Sequence, residues 1–304
     1  MTYIDKHINN DELVELLRTD YSQAFKLWKK RVHFFATDFY RNEYAPTLSI
    51  PTDTAIEYDY SNHYDHDRIY LNGLAHIMNV LPSWSEYPKK RNSLHITAAY
   101  YEMITSHNPY YVLFKNDSNI GVAKDYDSIE SFTKVKNNYH FGTGGGLVHI
   151  LAFLLECDEN MKNKTPLKES GRKYIEKFIN IDVKTACETI DNLIATSESD
   201  LNHNLIYNEP HIDSLTVEMS LALIDCIKQF DSTFDMLNQL LDPKINKFKL
   251  TKTKKINEFR SKGYVTHELW TDSEVLLIPM TKIKESESNY RKNEYEDLLN
   301  SINI

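Results

Sequence analysis

Strand-like segments fall into two groups far apart along the chain, and helical patterns fill the interval. The first group holds Arg68–Leu71, the alternating Ser93–Thr97 (SLHIT), Tyr110–Phe114 (YYVLF) and Ile120–Val122, the last after an Asn116-Asp117 turn. The second holds Tyr264–Trp270 and Glu274–Pro279 (EVLLIP). Between them lie an apolar helix at 147–156, helical patterns near 168–180, 183–197 and 214–229, and a short one carrying Leu237, Leu240 and Leu241. Strands that resume after a helical interval most simply complete the sheet that the earlier strands began. The expected fold is therefore α+β: a split, mostly antiparallel sheet with a large helical insertion and an N-terminal helix. On this reading residues 1–124 carry that helix and the first part of the core. Residues 125–260 form the helical block, and 261–304 supply the closing strands and a C-terminal helix (NYRKNEYEDLLNSI).

The N-terminal helix is expected over 11–41. Leu13, Leu16, Leu17, Tyr21, Phe25, Trp28, Val32, Phe35 and Phe39 recur at spacings of three and four, and Asn10 stands where an N-cap belongs. Pro46 and Pro51 end the pattern, and 52–67 reads as loop. Gly73–Leu81 reads as a helix stopped by Pro82, followed by a loop over Ser83–Asn92.

With 41% hydrophobic and 26% charged residues, the 304-residue chain can build a sizeable core. Only 8 glycines argue against a turn-rich barrel or propeller. A net charge of -9 does not suit broad binding to a phosphate backbone. The basic clusters Lys89-Lys90-Arg91 and Lys244–Lys255 accordingly read as solvated faces. Cys157, Cys187 and Cys226 show no CxxC spacing and form neither a disulfide framework nor a zinc site, which suits a reducing compartment. The N-terminus lacks a basic-then-apolar leader, and the strongly apolar stretch Leu147–Leu155 is too short to span a bilayer. A cytoplasmic protein without a membrane partner is expected.

Three segments carry the most chemistry: DRIYLNGL at 67–74, YPKKRNSLHIT at 87–97 and HELWTDSEVLLIP at 267–279. Their order and residue types resemble the ADP-ribosyltransferase superfamily. In that family a basic residue on an early strand holds NAD, a Ser/Thr-bearing strand lines the nicotinamide pocket, and a late strand carries a glutamate. The resemblance implies Glu274, which directly precedes Val275-Leu276-Leu277, as the catalytic glutamate, with Glu268 as a competing choice and Ser93 beside it. It implies Arg68 and Arg91 as anion ligands and His95 and Thr97 as further NAD contacts. NAD is then the substrate, and an unidentified macromolecule the acceptor of a mono-ADP-ribosyl group. The family's Ser-Thr-Ser triplet is replaced here by SLHIT, and no glycine follows Arg68. PSWSEYPKKRNSLHIT also resembles phage-encoded proteins with transferase-like features, which would make a host cytoplasm the working compartment.

The chemistry suits these residue types. Cleaving the nicotinamide–ribose bond passes through an oxocarbenium-like state that a nearby carboxylate stabilises. A guanidinium matches the pyrophosphate, and aromatic faces such as Tyr100, Tyr101, Tyr110 and Trp270 can stack on nicotinamide. Side chains at even separation share a strand face, so an unbroken strand would aim Glu268 and Glu274 into one cleft unless Thr271-Asp272-Ser273 turns.

Two other patterns compete. His63-Tyr64-Asp65-His66-Asp67, with His33 and His76, resembles the metal ligands of HD-type phosphohydrolases, although the stretch lacks helical periodicity and reads as a polar loop. The run FGTGGG at 141–146 opens a predicted helix, where amides of Gly144 and Gly145 can clamp a phosphate; a flexible connector is the plainer reading. A non-catalytic interaction or virion-associated protein is the remaining alternative.

Overall fold

The structure, a computed structural model, describes residues 3–36, 45–51, 74–90, 93–98, 110–124, 131–132, 179–201, 221–259, 267–280 and 294–303. By contact density the chain divides into two compact units: Met1–Thr54, Glu86–Ser128 and Phe248–Ile304 form one, Ala55–Ser85 and Ile129–Lys247 the other.

The first unit is α+β. Its sheet has nine strands: β1 (Tyr3–His7), β2 (Phe35–Ala36), β3 (Thr47–Pro51), β4 (Leu94–Thr97), β5 (Tyr110–Phe114), β6 (Asn119–Val122), β7 (Lys249–Lys252), β8 (Glu268–Thr271) and β9 (Val275–Pro279). Their order across the sheet is β1-β3-β9-β5-β2-β4-β8-β6-β7, and the pairings are antiparallel. Strands of the early and late groups therefore alternate within one sheet. β7 is a correction: the stretch 125–260, expected to be a helical block, also supplies this edge strand.

The sheet is strongly curved. The link from Thr271 at the end of β8 to Val275 at the start of β9 spans at most about 14 Å when extended. Four flat inter-strand steps, from β9 through β5, β2 and β4 to β8, would measure about 19 Å. The hollow is filled by Leu94, Ile96, Val112, Phe114, Ile120, Val122, Leu269, Val275 and Leu277, joined by Val32, Phe34 and Ile256. The opposite face packs Leu48, Tyr111, Leu113, Leu276 and Ile278 against helices.

Two of those helices replace the single one expected over 11–41. α1 (Asn10–Arg18) and α2 (Ser22–Lys29) meet at an elbow, and the chain has become β2 by Phe35. The periodicity survives the break because Leu13, Leu17, Tyr21, Phe25 and Trp28 all face one core. Asn9, not Asn10, is the N-cap of α1, its side chain accepting from Glu12 N–H at 2.9 Å. α2 has no side-chain cap of its own. Asn116, in the β5–β6 turn, accepts from Gln23 N–H at 2.9 Å and donates to Thr19 O, so a distant turn caps the helix. The C-terminal helix Glu294–Ser301 buries Leu299 on the same face.

The second unit is helical among the described residues. Helices cover 74–80, Val183–Leu201, 221–227 and Thr233–Leu240, with a short 3-10 turn at Pro82–Trp84. Asp182 and Ser232 start two of them, accepting from Thr185 and Asp235 N–H, and a backbone bridge joins these two caps. Trp84 donates its indole N–H to Leu241 O, and Thr233 donates to Ile179 O. Cys187 and Cys226 are buried, with the Cys187 thiol pushed above its usual pKa by burial. The expected strand at Arg68–Leu71, the loop at 52–67, Cys157 and the helix at 147–156 lie outside the described residues. No helix among the described residues is long and apolar enough to cross a membrane.

Candidate functional site

β4 and β8 run antiparallel in a register that sets Leu94 opposite Thr271, His95 opposite Trp270, Ile96 opposite Leu269 and Thr97 opposite Glu268. Alternation sends Ile96 and Leu269 into the hollow of the sheet, so Thr97, Glu268 and Trp270 share the other face. The Ser/Thr-bearing strand and one candidate glutamate thus stand side by side, although their segments are far apart in sequence.

Trp270 organises this face. It is fully buried and lies opposite Gly121 of β6, where an added Cβ would come within 2.2 Å of the indole ring. The bare backbone at Gly121 is what lets the ring lie across the neighbouring strand. The indole N–H donates to Pro88 O at 3.0 Å, Tyr87 stacks at 6.4 Å and Phe248 meets the ring edge-on at 6.1 Å. Lys90 places its Nζ 4.5 Å from the indole centroid and donates to Glu268 Oε1. The two side chains are 4% and 10% exposed, so the carboxylate and the ammonium are withdrawn from water together. Such a pair is held by mutual charge and the cation–π contact against a large desolvation cost.

Ser93 serves the turn that delivers Lys90. Its hydroxyl donates to Lys89 O at 2.7 Å, while Lys89 N–H donates to Asp272 Oδ2 at 2.9 Å. The hydroxyl hydrogen is therefore committed to the loop, which makes Ser93 a positioning residue for Lys90. Lys90 itself corrects the reading of Lys89-Lys90-Arg91 as a solvated face: Lys89 is exposed, Lys90 is buried. Trp270 and Tyr110, expected to offer open aromatic faces, are also buried, Trp270 beneath Lys90 and Tyr110 in the hollow of the sheet.

Glu274 belongs to a different centre. Asp272 and Ser273 form a bend that ends β8, with Ser273 N–H donating to Thr271 Oγ1 at 3.2 Å. The strand is therefore broken between the two glutamates, and each has its own partners. Glu268 opens β8, while Glu274 lies beyond its far end, about 10 Å further along the strand. There Glu274 accepts from Tyr21 Oη at 2.9 Å and from Lys115 Nζ at 3.3 Å, and Lys115 also lies 3.4 Å from Asp20. Burial first, then the charge and hydrogen bond of Glu274, push the Tyr21 phenol well above its ordinary pKa. For Lys115 burial pulls downward, but Glu274 and Asp20 together outweigh it and leave the ammonium raised. Glu274 thus anchors the α1–α2 elbow to the β8–β9 turn.

The chain matches no protein-family model, no curated protein and no solved structure. Its site must be read from its own residues. Among the sequence-derived candidates, Glu268, Thr97 and Ser93 gather around β4 and β8, and Glu274 stands apart. His95 contributes its backbone position to β4, and its side chain lies outside the described residues. Arg68, Arg91, Gly144, Gly145 and the whole FGTGGG run also lie outside them, as do His63, His66 and Asp67. The residues overlooked are Lys90 and Gly121. A glycine inside an apolar strand pattern signals close approach by a neighbour, and Gly121 carries that signal in NIGV. The burial of Lys90 has no local signature.

Proposed function

We propose that this protein is an NAD-using ADP-ribosyltransferase-like enzyme whose glutamate is Glu268 rather than Glu274. The observation that supports it is the register pair of Thr97 and Glu268 on β4 and β8, beside the Trp270–Lys90 stack. In this reading the nine-stranded sheet is the core of the nucleotide-binding fold, and the chain from 125 to the start of β7 is an insertion in it. The C1′–nitrogen bond of NAD breaks heterolytically and its electron pair leaves with nicotinamide. Glu268 stabilises the positive charge left on the ribose, and a nucleophile of a macromolecular acceptor then forms the new bond to C1′ and gives up its proton to water. Lys90 supplies the counter-charge that keeps Glu268 on this face in the resting protein, and must yield part of that contact to the substrate. The enzyme works in the cytoplasm, a host's cytoplasm if the chain is phage-encoded.

The test is incubation with NAD labelled on adenine and a cell extract, reading free nicotinamide and label transfer to macromolecules. Glu268→Gln keeps size and loses charge, and should lower turnover by about two to three orders of magnitude. Glu274→Gln should leave turnover near wild type, because that carboxylate serves the elbow. Equal turnover with and without Glu268, or none by the wild-type chain, overturns the assignment.

A second reading, a non-catalytic interaction protein, is favoured by the mutual burial of Lys90 and Glu268, since a carboxylate already answered by an ammonium needs no substrate to justify its place. A Lys90→Met/Glu268→Leu chain that folds and still engages its cellular partner supports that reading.

A further inference from the structure

β7 ends the sheet. Among the described residues it pairs with β6 alone, so its outer main-chain edge has no strand beside it. β7 carries Lys249 and Lys252, the 3-10 helix Thr253–Phe259 that follows it carries Lys254 and Lys255, and no acidic residue lies from 249 to 255, in a protein of net charge -9. All four lysines are exposed, and Leu250 is 40% exposed between them. The short-range partners are few. Asp117 accepts from Lys252 through its carbonyl at 3.0 Å and faces Lys254 at 3.7 Å, and Lys249 lies over Phe259 at 5.3 Å. The opposite edge, β1, offers the contrast: Asp5 and Lys6 place both signs of charge there, and Lys6 pairs with Glu12.

Lysines at both ends of a short edge strand keep two copies from pairing edge to edge, because each would bring its own positive charge. The same lysines do not repel a strand of opposite sign. We propose that the outer edge of β7 receives an acidic, extended peptide segment of a partner protein, added as a tenth strand. Main-chain hydrogen bonds would supply affinity, and pairing of its carboxylates with Lys249 and Lys252, one on each face of β7, would supply selection. Leu250 adds an apolar contact that a phosphate backbone does not use. A nucleic acid is disfavoured further by the overall negative charge.

The probe is a fluorescein-labelled (Glu-Glu-Thr)4 peptide, whose glutamates lie on both faces when it is extended, titrated with the full chain and read by anisotropy. Three further arms are the same peptide N-methylated at alternate residues along one edge, a ten-nucleotide oligo-dT, and a Lys249→Glu/Lys252→Glu chain. Saturable binding is expected, weakened at least tenfold by N-methylation, by charge reversal and by raising salt from about 50 to 300 mM. Oligo-dT should bind at least tenfold more weakly than the peptide. Equal binding of the methylated peptide removes the added strand, equal or tighter binding of oligo-dT replaces the peptide with a nucleic acid, and no binding at millimolar peptide overturns the proposal outright. The methylation arm needs no variant, so it decides the question whatever the charge-reversed chain does.

Discussion

Two carboxylates on neighbouring segments of the first unit meet opposite fates. Glu268 is withdrawn from water with Lys90 and laid beside an indole, whereas Glu274 stays partly exposed and is shared by a phenol, an ammonium and a helical elbow. They stand six positions apart, yet a two-residue bend sends one to the sheet face and the other to its end. The difference teaches that a glutamate's chemistry follows its counter-ions, and that these come from segments a local reading does not join to it.

Breaking the buried pair should give the largest effect. Lys90→Met leaves Glu268 buried without its counter-charge and should destabilise the first unit by about 3–5 kcal/mol. Replacing both, Lys90→Met with Glu268→Leu, should recover most of that loss. Urea unfolding of the two variants measures it, and the double variant behaving no better than the single would show that the pair's mutual charge is not what matters.

Removing the phenol at the other centre comes next. Tyr21→Phe loses a hydrogen bond to a carboxylate, which is worth about 1.5–3 kcal/mol. Because the Tyr21 pKa is raised by folding, its contribution is complete below the ordinary value near 10 and is lost as pH climbs above it toward the folded value. Wild type should therefore lose stability more steeply than Tyr21→Phe between about pH 10 and 11.5. Parallel curves would remove the linkage.

Gly121→Ala sharpens the contrast from the sheet side. The new methyl meets the Trp270 ring, and such overpacking costs about 1–3 kcal/mol. Indole fluorescence should change as the ring shifts, while the alkaline transition tied to Tyr21 should stay where it is. The smallest effect belongs to Lys115→Met. That ammonium is 43% exposed, and a pair this open contributes about 0–1 kcal/mol. A loss as large as that of Lys90→Met would collapse the distinction between the two centres.

Much of the first unit was legible in sequence because its signals are local. SLHIT, YYVLF and EVLLIP alternate or run apolar, and they become β4, β5 and β9 within a residue of the expected bounds. The Asn116-Asp117 turn falls where expected, with Asp117 taking a positive φ of 56. The helix at 74–80 stops before Pro82 because proline breaks helical geometry. β7 escaped because half of KLTK is lysine, which strands disfavour, and its pairing with β6 decides it. The break between α1 and α2 escaped because both halves keep the same apolar period, so the pattern that predicts a helix cannot see the elbow.

The sequence by itself determined which short segments become strands and helices, since side-chain period and backbone sterics act within a few residues. Tertiary structure alone decided that Thr97 faces Glu268, that Lys90 is buried while Lys89 is not, that Asn116 caps a helix it does not belong to, and that Glu274 holds an elbow. Each of these rests on a register or a charge pairing between segments distant in the chain. Such pairings are selected by the free energy of the whole assembled sheet: a register that slips by one residue would turn Leu269 out of the hollow and Glu268 into it, at a cost no local preference could offset.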